Sequence, residues 1–225
     1  MKQSGTTLIR CKLVLFLVLL SFEATAQNEQ EKPLRQFLFP NFAEGTIQTK
    51  SGSTLDFILN YNMVDQHMIS QQTNVYRVVK NIDDIDTILL QNRKFVPFEK
   101  VFYEVLVKGH VPFFLQNKSL MTSAGNSVGY GLKSQSVGPT DMKRFEMGSD
   151  VVSIDLPSDV IINSASVNWV KKNNEMEKFS NARQLIKIFP EYEKEIKEYI
   201  AKYKPDFKLR DDIIKLGIYC NGLIK

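Results

Sequence analysis

The sequence predicts an α+β fold in which an antiparallel β-rich body, built from hairpins or a meander, is followed by two to three C-terminal α-helices. Two observations predict it. Short segments of alternating apolar residues, separated by turn residues, fill the chain up to residue 179, and from residue 180 the apolar residues recur at helical spacing. Strands and helices therefore occupy separate stretches, as in α+β proteins, rather than alternating as in α/β proteins.

Residues 1–26 have the order of a secretory signal peptide. Three basic residues lie within the first 12 positions, and an uninterrupted apolar run follows at 13–20. Ala24 and Ala26 supply the small residues that signal peptidase accepts, so we predict cleavage before Gln27. The apolar run is too short for a transmembrane helix, which needs about 20 residues.

The rest of the chain has the composition of a soluble exported protein. The leader carries three basic residues and one acidic residue, so its removal lowers the net charge from +4 to +2. No basic tract remains, which disfavours nucleic-acid binding. Cys11 leaves with the leader and Cys220 stays alone, so no internal disulfide can form. We expect a periplasmic or secreted protein with no transmembrane segment in the mature chain; the oligomeric state stays open.

We predict one domain at 45–225, which is β-rich over 45–179 and helical over 180–225. A flexible polar lead-in at 27–44 precedes this domain. Alternation predicts one half-buried strand with apolar residues on one face, at Leu55, Phe57, Leu59 and Tyr61.

The clearest hairpin has a first strand at 101–107, a turn at 108–109 and a return to residue 116. Pro112 in the return strand lacks a backbone donor, which predicts a sheet edge or a bulge at that point.

The remaining segments comprise a glycine- and serine-rich stretch and the helices. Residues 117–150 lack strong periodicity and are predicted to be a loop or a set of weak strands. Ser180 is predicted to cap the first helix, Pro190 to lie in the first turn of the second, and Asp211 to cap the third.

Catalytic and metal motifs are weak. Residues 125–129 match G-x-S-x-G around Ser127, but both histidines precede this serine, whereas the hydrolase motif needs a later one. Asp65 and His67 could share a metal ion on one strand face, and His110 could complete the site, but three ligands are needed and nothing in the sequence brings His110 near.

Other candidate residues favour structural roles. The acidic cluster at Asp83, Asp84 and Asp86 lacks the ligand spacing and glycine of a calcium loop. The tyrosines at 192, 199 and 203 are predicted to pack in the core, and Trp169 to lie in the core or at its edge rather than stack on a sugar. We therefore assign no catalytic, cofactor-binding or metal-ligating residue.

Several segments resemble small exported proteins from the Bacteroides group of Gram-negative bacteria. The resemblance covers most of the mature chain and is weakest over 117–150. It implies export and a one-domain α+β body, and it supplies no activity, cofactor or site residue. The segments that carry it are Phe39-Pro40-Asn41-Phe42 with Gly45-Thr46, Leu59-Asn60-Tyr61-Asn62, Arg93-Lys94-Phe95-Val96-Pro97 with Tyr103-Glu104, and Leu185-Ile186-Lys187-Ile188-Phe189-Pro190.

The function predicted first is that of a non-catalytic cell-envelope protein that binds another protein or an envelope component, such as a glycan. An exported hydrolase acting on glycans or peptides is one alternative. It would need convergent carboxylates in a concave pocket, or His67 and His110 together beside Asp65. A small-ligand carrier is the other, and it would need a solvent-open apolar cavity of roughly 300 Å³ or more.

Overall fold

A computed structural model describes residues 34–123, 127–128, 132–133, 150–156 and 160–224. The strands found in this part of the chain all pair antiparallel. Their bounds are β1 Ala43–Thr49, β2 Thr54–Asn62, β3 His67–Gln72, β4 Val75–Val78, β5 Ile85–Leu90, β6 Arg93–Phe98, β7 Val101–Val107, β8 Phe113–Gln116, β9 Ser119–Ser123, β10 Ser127–Val128, β11 Leu132–Lys133, β12 Val160–Ser164, β13 Val167–Lys172 and β14 Glu175–Phe179.

Ten of these strands form one sheet in the order β14-β13-β8-β7-β6-β5-β1-β2-β3-β4. The strands β1 to β4 run outward as a meander on one side of β1, and β5 to β8 do the same on its other side. The helices follow the sheet, as α1 Ala182–Ile188, a 3₁₀ turn at Pro190–Tyr192, α2 Glu193–Tyr203 and α3 Arg210–Leu223. The predicted α+β class, with an antiparallel body followed by helices, is confirmed.

The β7–β8 hairpin occurs where the sequence predicts it, but β8 is not an edge strand. It lies between β7 and β13, so the edge prediction at Pro112 is wrong. The strand begins only at Phe113, which leaves the missing Pro112 donor outside the β7–β8 ladder. The irregularity in this pair lies in the partner strand, where the register shifts between Val105 and Val107.

The helix caps also differ from the prediction. Asn181, rather than Ser180, caps α1, because its side-chain oxygen accepts the Gln184 amide proton. The Ser180 amide and hydroxyl instead donate to the Gln184 side chain, at 2.7 and 3.0 Å. The third helix begins at Arg210 with no side-chain cap, and Asp211 lies inside its first turn, where a carboxylate favours the helix dipole.

Part of the predicted lead-in at 27–44 belongs to the folded body. Phe37 and Phe39 are buried at 5% exposure. Asn60 holds this segment, because its side chain both accepts from the Phe39 amide and donates to the Phe39 carbonyl, at 3.2 and 2.9 Å. Residues 27–33 lie outside the described residues.

Two apolar clusters share one face of the sheet. One packs the helices on the β8–β13–β14 side, and the other fills the β1, β2, β5 and β6 side. The sheet curls over the second cluster, so that β3 contacts β7. Tyr61 of β2 stacks on Phe95 of β6 at 5.9 Å and donates its hydroxyl to the Phe102 carbonyl of β7.

A buried carboxylate lies between these two clusters. Glu104 in β7 is fully buried, and its oxygens accept from Arg210 Nε of α3 at 2.6 Å, Arg93 Nη1 of β6 at 3.4 Å and Asn117 Nδ2 at 3.0 Å. Such a group must be paired when it is removed from water. The Glu104 cluster thus connects the third helix to the sheet by charge as well as by apolar contact.

The stretch at 117–150 contains strands in its described parts. The strand β9 pairs with β12 outside the main sheet, and β10 pairs with β11. Residues 134–149 lie outside the described residues. Across the described chain, the helices are too short or too polar to cross a membrane.

Two glycines of α3 provide a matched test of how closely this helix approaches the sheet. A Cβ on Gly217 would lie 3.0 Å from side-chain atoms of both Phe113 and Val107, whereas a Cβ on Gly222 would meet nothing within 4 Å. Alanine is favoured over glycine in helices by about 1 kcal/mol, so Gly222→Ala is expected to stabilise the protein. Gly217→Ala should be the less stable of the two by about 1–3 kcal/mol, because it overpacks the core. Urea unfolding of both variants measures this difference, and equal stabilisation by both would contradict the close approach.

Removing one partner of the Glu104 cluster should be costly. Arg210→Met keeps the side-chain length but leaves the buried carboxylate without its closest donor, so the free energy of unfolding should fall by roughly 3 kcal/mol. The control is Lys108→Met, at an exposed turn position, which should change stability by less than about 0.5 kcal/mol. Similar values for both variants in denaturant unfolding would show that the cluster contributes little.

Candidate functional site

An apolar row on β2 runs from the core into solvent. Leu55, Phe57, Leu59 and Tyr61 lie on one face, as their alternation predicts. Leu59 and Tyr61 are fully buried, but Leu55 and Phe57 remain 49% and 43% exposed. Exposed apolar residues are ordinary when scattered, so a continuous row beside the core is the more informative arrangement.

A pocket of about 310 Å³ adjoins the exposed end of this row. One wall is the β1–β2 face, and the other is the connection at 79–84 between β4 and β5. We call it the apolar pocket. Its lining residues are Ile47, Thr49, Leu55, Phe57, Ser70, Val79, Lys80, Asn81, Asp84 and Ile85.

The connection that forms the second wall is fixed at both ends. The Val79 amide donates to the Met68 carbonyl, and the Lys50 amide donates to the Asp84 carbonyl, at 2.9 and 2.8 Å. Asn81 adopts the left-handed conformation with φ 55°, which turns the chain into the 3₁₀ helix at Ile82–Asp84. The apolar pocket is therefore enclosed by hydrogen-bonded backbone on this side.

The chemistry of the apolar pocket suits an uncharged apolar group. Five lining residues are aliphatic or aromatic, and only Lys80 and Asp84 carry charge. Lys80 already pairs with Asp150 at 3.0 Å. The volume is at the lower end of the range of ligand pockets, roughly 300–1,000 Å³. It also meets the size expected from sequence for a small-ligand carrier.

A second, larger depression of about 1270 Å³ lies across β3, β2, β1, β5 and β6. The register places Glu44, Thr46, Asp56 and Leu89 on the face opposite the apolar row. Glu44 and Asp56 are diagonal neighbours there, but both are exposed, and Asp56 accepts a hydrogen bond from Thr46 at 2.7 Å. A glycosidase needs one carboxyl group in an apolar environment, which this face does not provide.

The histidines considered as catalytic or metal-binding residues are separated. His67 begins β3 next to Gln66, which accepts a hydrogen bond from Gln116 at the end of β8. His110 lies in the turn before β8, at the other end of that strand. The strand β8, Phe113–Gln116, lies between these two positions and spans roughly 10 Å. The structure therefore does not bring His110 to Asp65 and His67.

The other sequence motifs take structural positions. Ser127 begins the short strand β10, which continues through Val128, pairs with β11 and is not a strand-to-helix turn; Gly125, Asn126 and Gly129 of its motif lie outside the described residues. Asp83 and Asp84 lie in a 3₁₀ helix, and a hydrogen bond from Lys100 holds the pKa of Asp83 below its usual value. Among the described residues no group of three or more His, Cys, Asp or Glu is placed to hold a metal.

The aromatic residues are only partly in the core. Tyr199 stacks on Tyr219 at 4.3 Å and packs against the helical cluster, as expected, but Tyr203 is 58% exposed, so its core assignment is wrong. Trp169 lies half-buried at the core edge, where its indole N–H donates to Gln116. It also meets Tyr103 edge-to-face at 5.9 Å.

The one cysteine among the described residues is enclosed by the core. Cys220 is buried in α3, and this burial raises its pKa to about 12. Because the thiolate is the reactive form, the side chain behaves as a small apolar residue and not as a nucleophile. The predicted cleavage residues Ala24, Ala26 and Gln27 lie outside the described residues.

Sequence reasoning identified the apolar row but missed the apolar pocket. No signal in the sequence indicates that residues 79–84 cross beside Leu55 and Phe57, since that depends on the path between two distant strands.

No family model matches this chain, and comparison with curated proteins and with solved structures likewise gives no match.

Proposed function

We propose that this chain is an exported cell-envelope protein that acts by binding, and that the apolar pocket accepts a hydrocarbon chain of an envelope component. The observation that carries this proposal is the exposed pair Leu55 and Phe57 beside a concave apolar space. A ligand that covers these side chains would be stabilised by about 25 cal/mol per Å² of apolar area buried.

The shape of the site supports a hydrocarbon chain over a polar ligand. The aliphatic residues Ile47, Val79 and Ile85 extend from the sheet and the connection around the same space as Leu55 and Phe57. Hydroxyl, amide and charged groups in the lining could contact a polar head at the opening. An amphiphile with one chain matches both parts, since apolar contact supplies affinity and a few polar groups fix orientation.

Export rests on the sequence. A basic head, an apolar run and the Ala24–Ala26 site precede the folded body, which is described from Leu34 onward. A single mature cysteine and the lack of membrane-spanning helices among the described residues agree with a soluble exported body.

Ligand binding can be tested with paired serine variants. The purified protein, which retains both walls of the pocket, should bind the fluorescent probe 1-anilinonaphthalene-8-sulfonate, and palmitate should displace the probe. The double variant Leu55→Ser with Phe57→Ser should weaken palmitate binding at least about tenfold, because both substitutions remove apolar contact area.

The matched control changes apolar residues of similar exposure on the opposite face. Ile58 and Leu89 are 37% and 42% exposed, so Ile58→Ser with Leu89→Ser should leave palmitate binding unchanged. Loss of binding in the control, or unchanged binding in the pocket variant, would refute the pocket as the site.

Processing of the leader can be tested separately. When the full chain is expressed in a Gram-negative bacterium, the periplasmic or secreted protein should begin at Gln27, as read by N-terminal sequencing. Replacing both Ala24 and Ala26 by Leu should leave the leader attached, because signal peptidase requires small residues there. A cytosolic protein that retains Met1 would contradict export while leaving the ligand-binding test untouched.

A further inference from the structure

A third concave surface lies between α1 and α2, on the helical part of the fold. It has a volume of about 610 Å³. Its floor is apolar and its rim is charged. We call it the helix cleft, and it is lined by Ala182, Arg183, Ile186, Lys187, Pro190, Glu193 and Lys197.

Two cations on the rim have no partner within the described part of the chain. Arg183 and Lys187 are exposed, four residues apart on α1, and their side chains make no ion pair or hydrogen bond with a described residue. Positions four apart lie on the same helix face. Both charges therefore flank the apolar floor at Ile186 from one side.

Two acidic residues near the helix cleft are already paired. Glu193 pairs with Lys197 within α2, and Glu191 pairs with Lys172 at 2.7 Å. The Lys172 interaction holds the pKa of Glu191 below its ordinary value, which keeps that carboxylate charged. The charge of the rim is thus unbalanced, with Arg183 and Lys187 in excess.

We propose that the helix cleft docks an acidic segment of a partner protein, which places an apolar side chain on the floor at Ile186 and carboxylates on Arg183 and Lys187. Charge complementarity selects the partner, since an acidic segment supplies what the rim lacks. An apolar floor below two cations suits a peptide with apolar anchors among acidic residues. A lipid surface would instead require apolar residues that protrude, and this floor is concave.

The test uses a fluorescein-labelled peptide of glutamate and leucine at helical spacing, a lysine–leucine counterpart, and phosphatidylglycerol vesicles. The unmodified protein should bind the acidic peptide, more weakly as salt is raised, and should not bind the basic one. Arg183→Glu with Lys187→Glu should lower affinity for the acidic peptide at least about tenfold.

The control makes the same change in net charge elsewhere. Lys108→Glu with Lys208→Glu alters two other exposed lysines and should change peptide affinity by less than about threefold. Leu55→Ser with Phe57→Ser should leave peptide binding intact, which separates the helix cleft from the apolar pocket. Equal loss in the charge control, binding of vesicles but not of peptide, or no binding of the acidic peptide would each overturn the proposal.

Discussion

Glu104 occupies the junction of the two apolar clusters, and the position of α3 against the sheet depends on how its charge is satisfied. Along β7, Phe102 belongs to the cluster under β1 and β2, whereas Val107 packs against the helical cluster. A carboxylate between them is out of water and must have donors. Two of its three donors are Arg93 of β6 and Arg210 of α3, so helix docking and strand pairing meet at one side chain.

A buried ion cluster of this kind contributes more to the specificity of the packing than to net stability. Desolvation of Glu104 offsets much of the attraction to its arginines, and an apolar replacement of the whole cluster could be as stable. An alternative packing of α3 that moved Arg210 away, however, would leave the carboxylate with fewer partners. We infer that the cluster selects one position of α3, and that the close contact at Gly217 is possible only in that position.

The position of the apolar pocket follows from the curl of the sheet. The sheet curls toward β7, where Tyr61 reaches the Phe102 carbonyl, so the core closes around the Tyr61 end of the apolar row. At the Leu55 end the curl no longer covers the row, and only the connection at 79–84 lies beside it. The pocket is thus the part of a continuous apolar face that extends beyond the core.

The sequence predicts the elements whose signals are local. The alternation at 55–61 identifies the face of β2, and the β-branched and aromatic content of 101–107 identifies β7 together with its hairpin. Which end of the β2 row is buried is not local, because it depends on the curl of the sheet and on the path of residues 79–84.

The wrong predictions have similar causes. Pro112 suggested an edge or a bulge, but β8 begins one residue later, at Phe113, and is an internal strand whose register shift lies in its partner β7. Ser180 and Asn181 are both good caps, and the choice between them was decided by the Gln184 side chain, which accepts from Ser180. Glu104 carries no signal of burial at all, since a charged residue in an alternating strand is expected to face water.

The apolar pocket and the helix cleft respond to different physical variables. The pocket has a mostly apolar lining, so binding there should depend on apolar area and be little affected by screening. The helix cleft combines a small apolar floor with two rim cations that have no partner among the described residues, so its affinity should fall as salt screens Arg183 and Lys187. They also use different elements, β1 and β2 with residues 79–84 in one case and α1 and α2 in the other. One body could therefore hold an apolar ligand and a protein partner at the same time, without a shared residue.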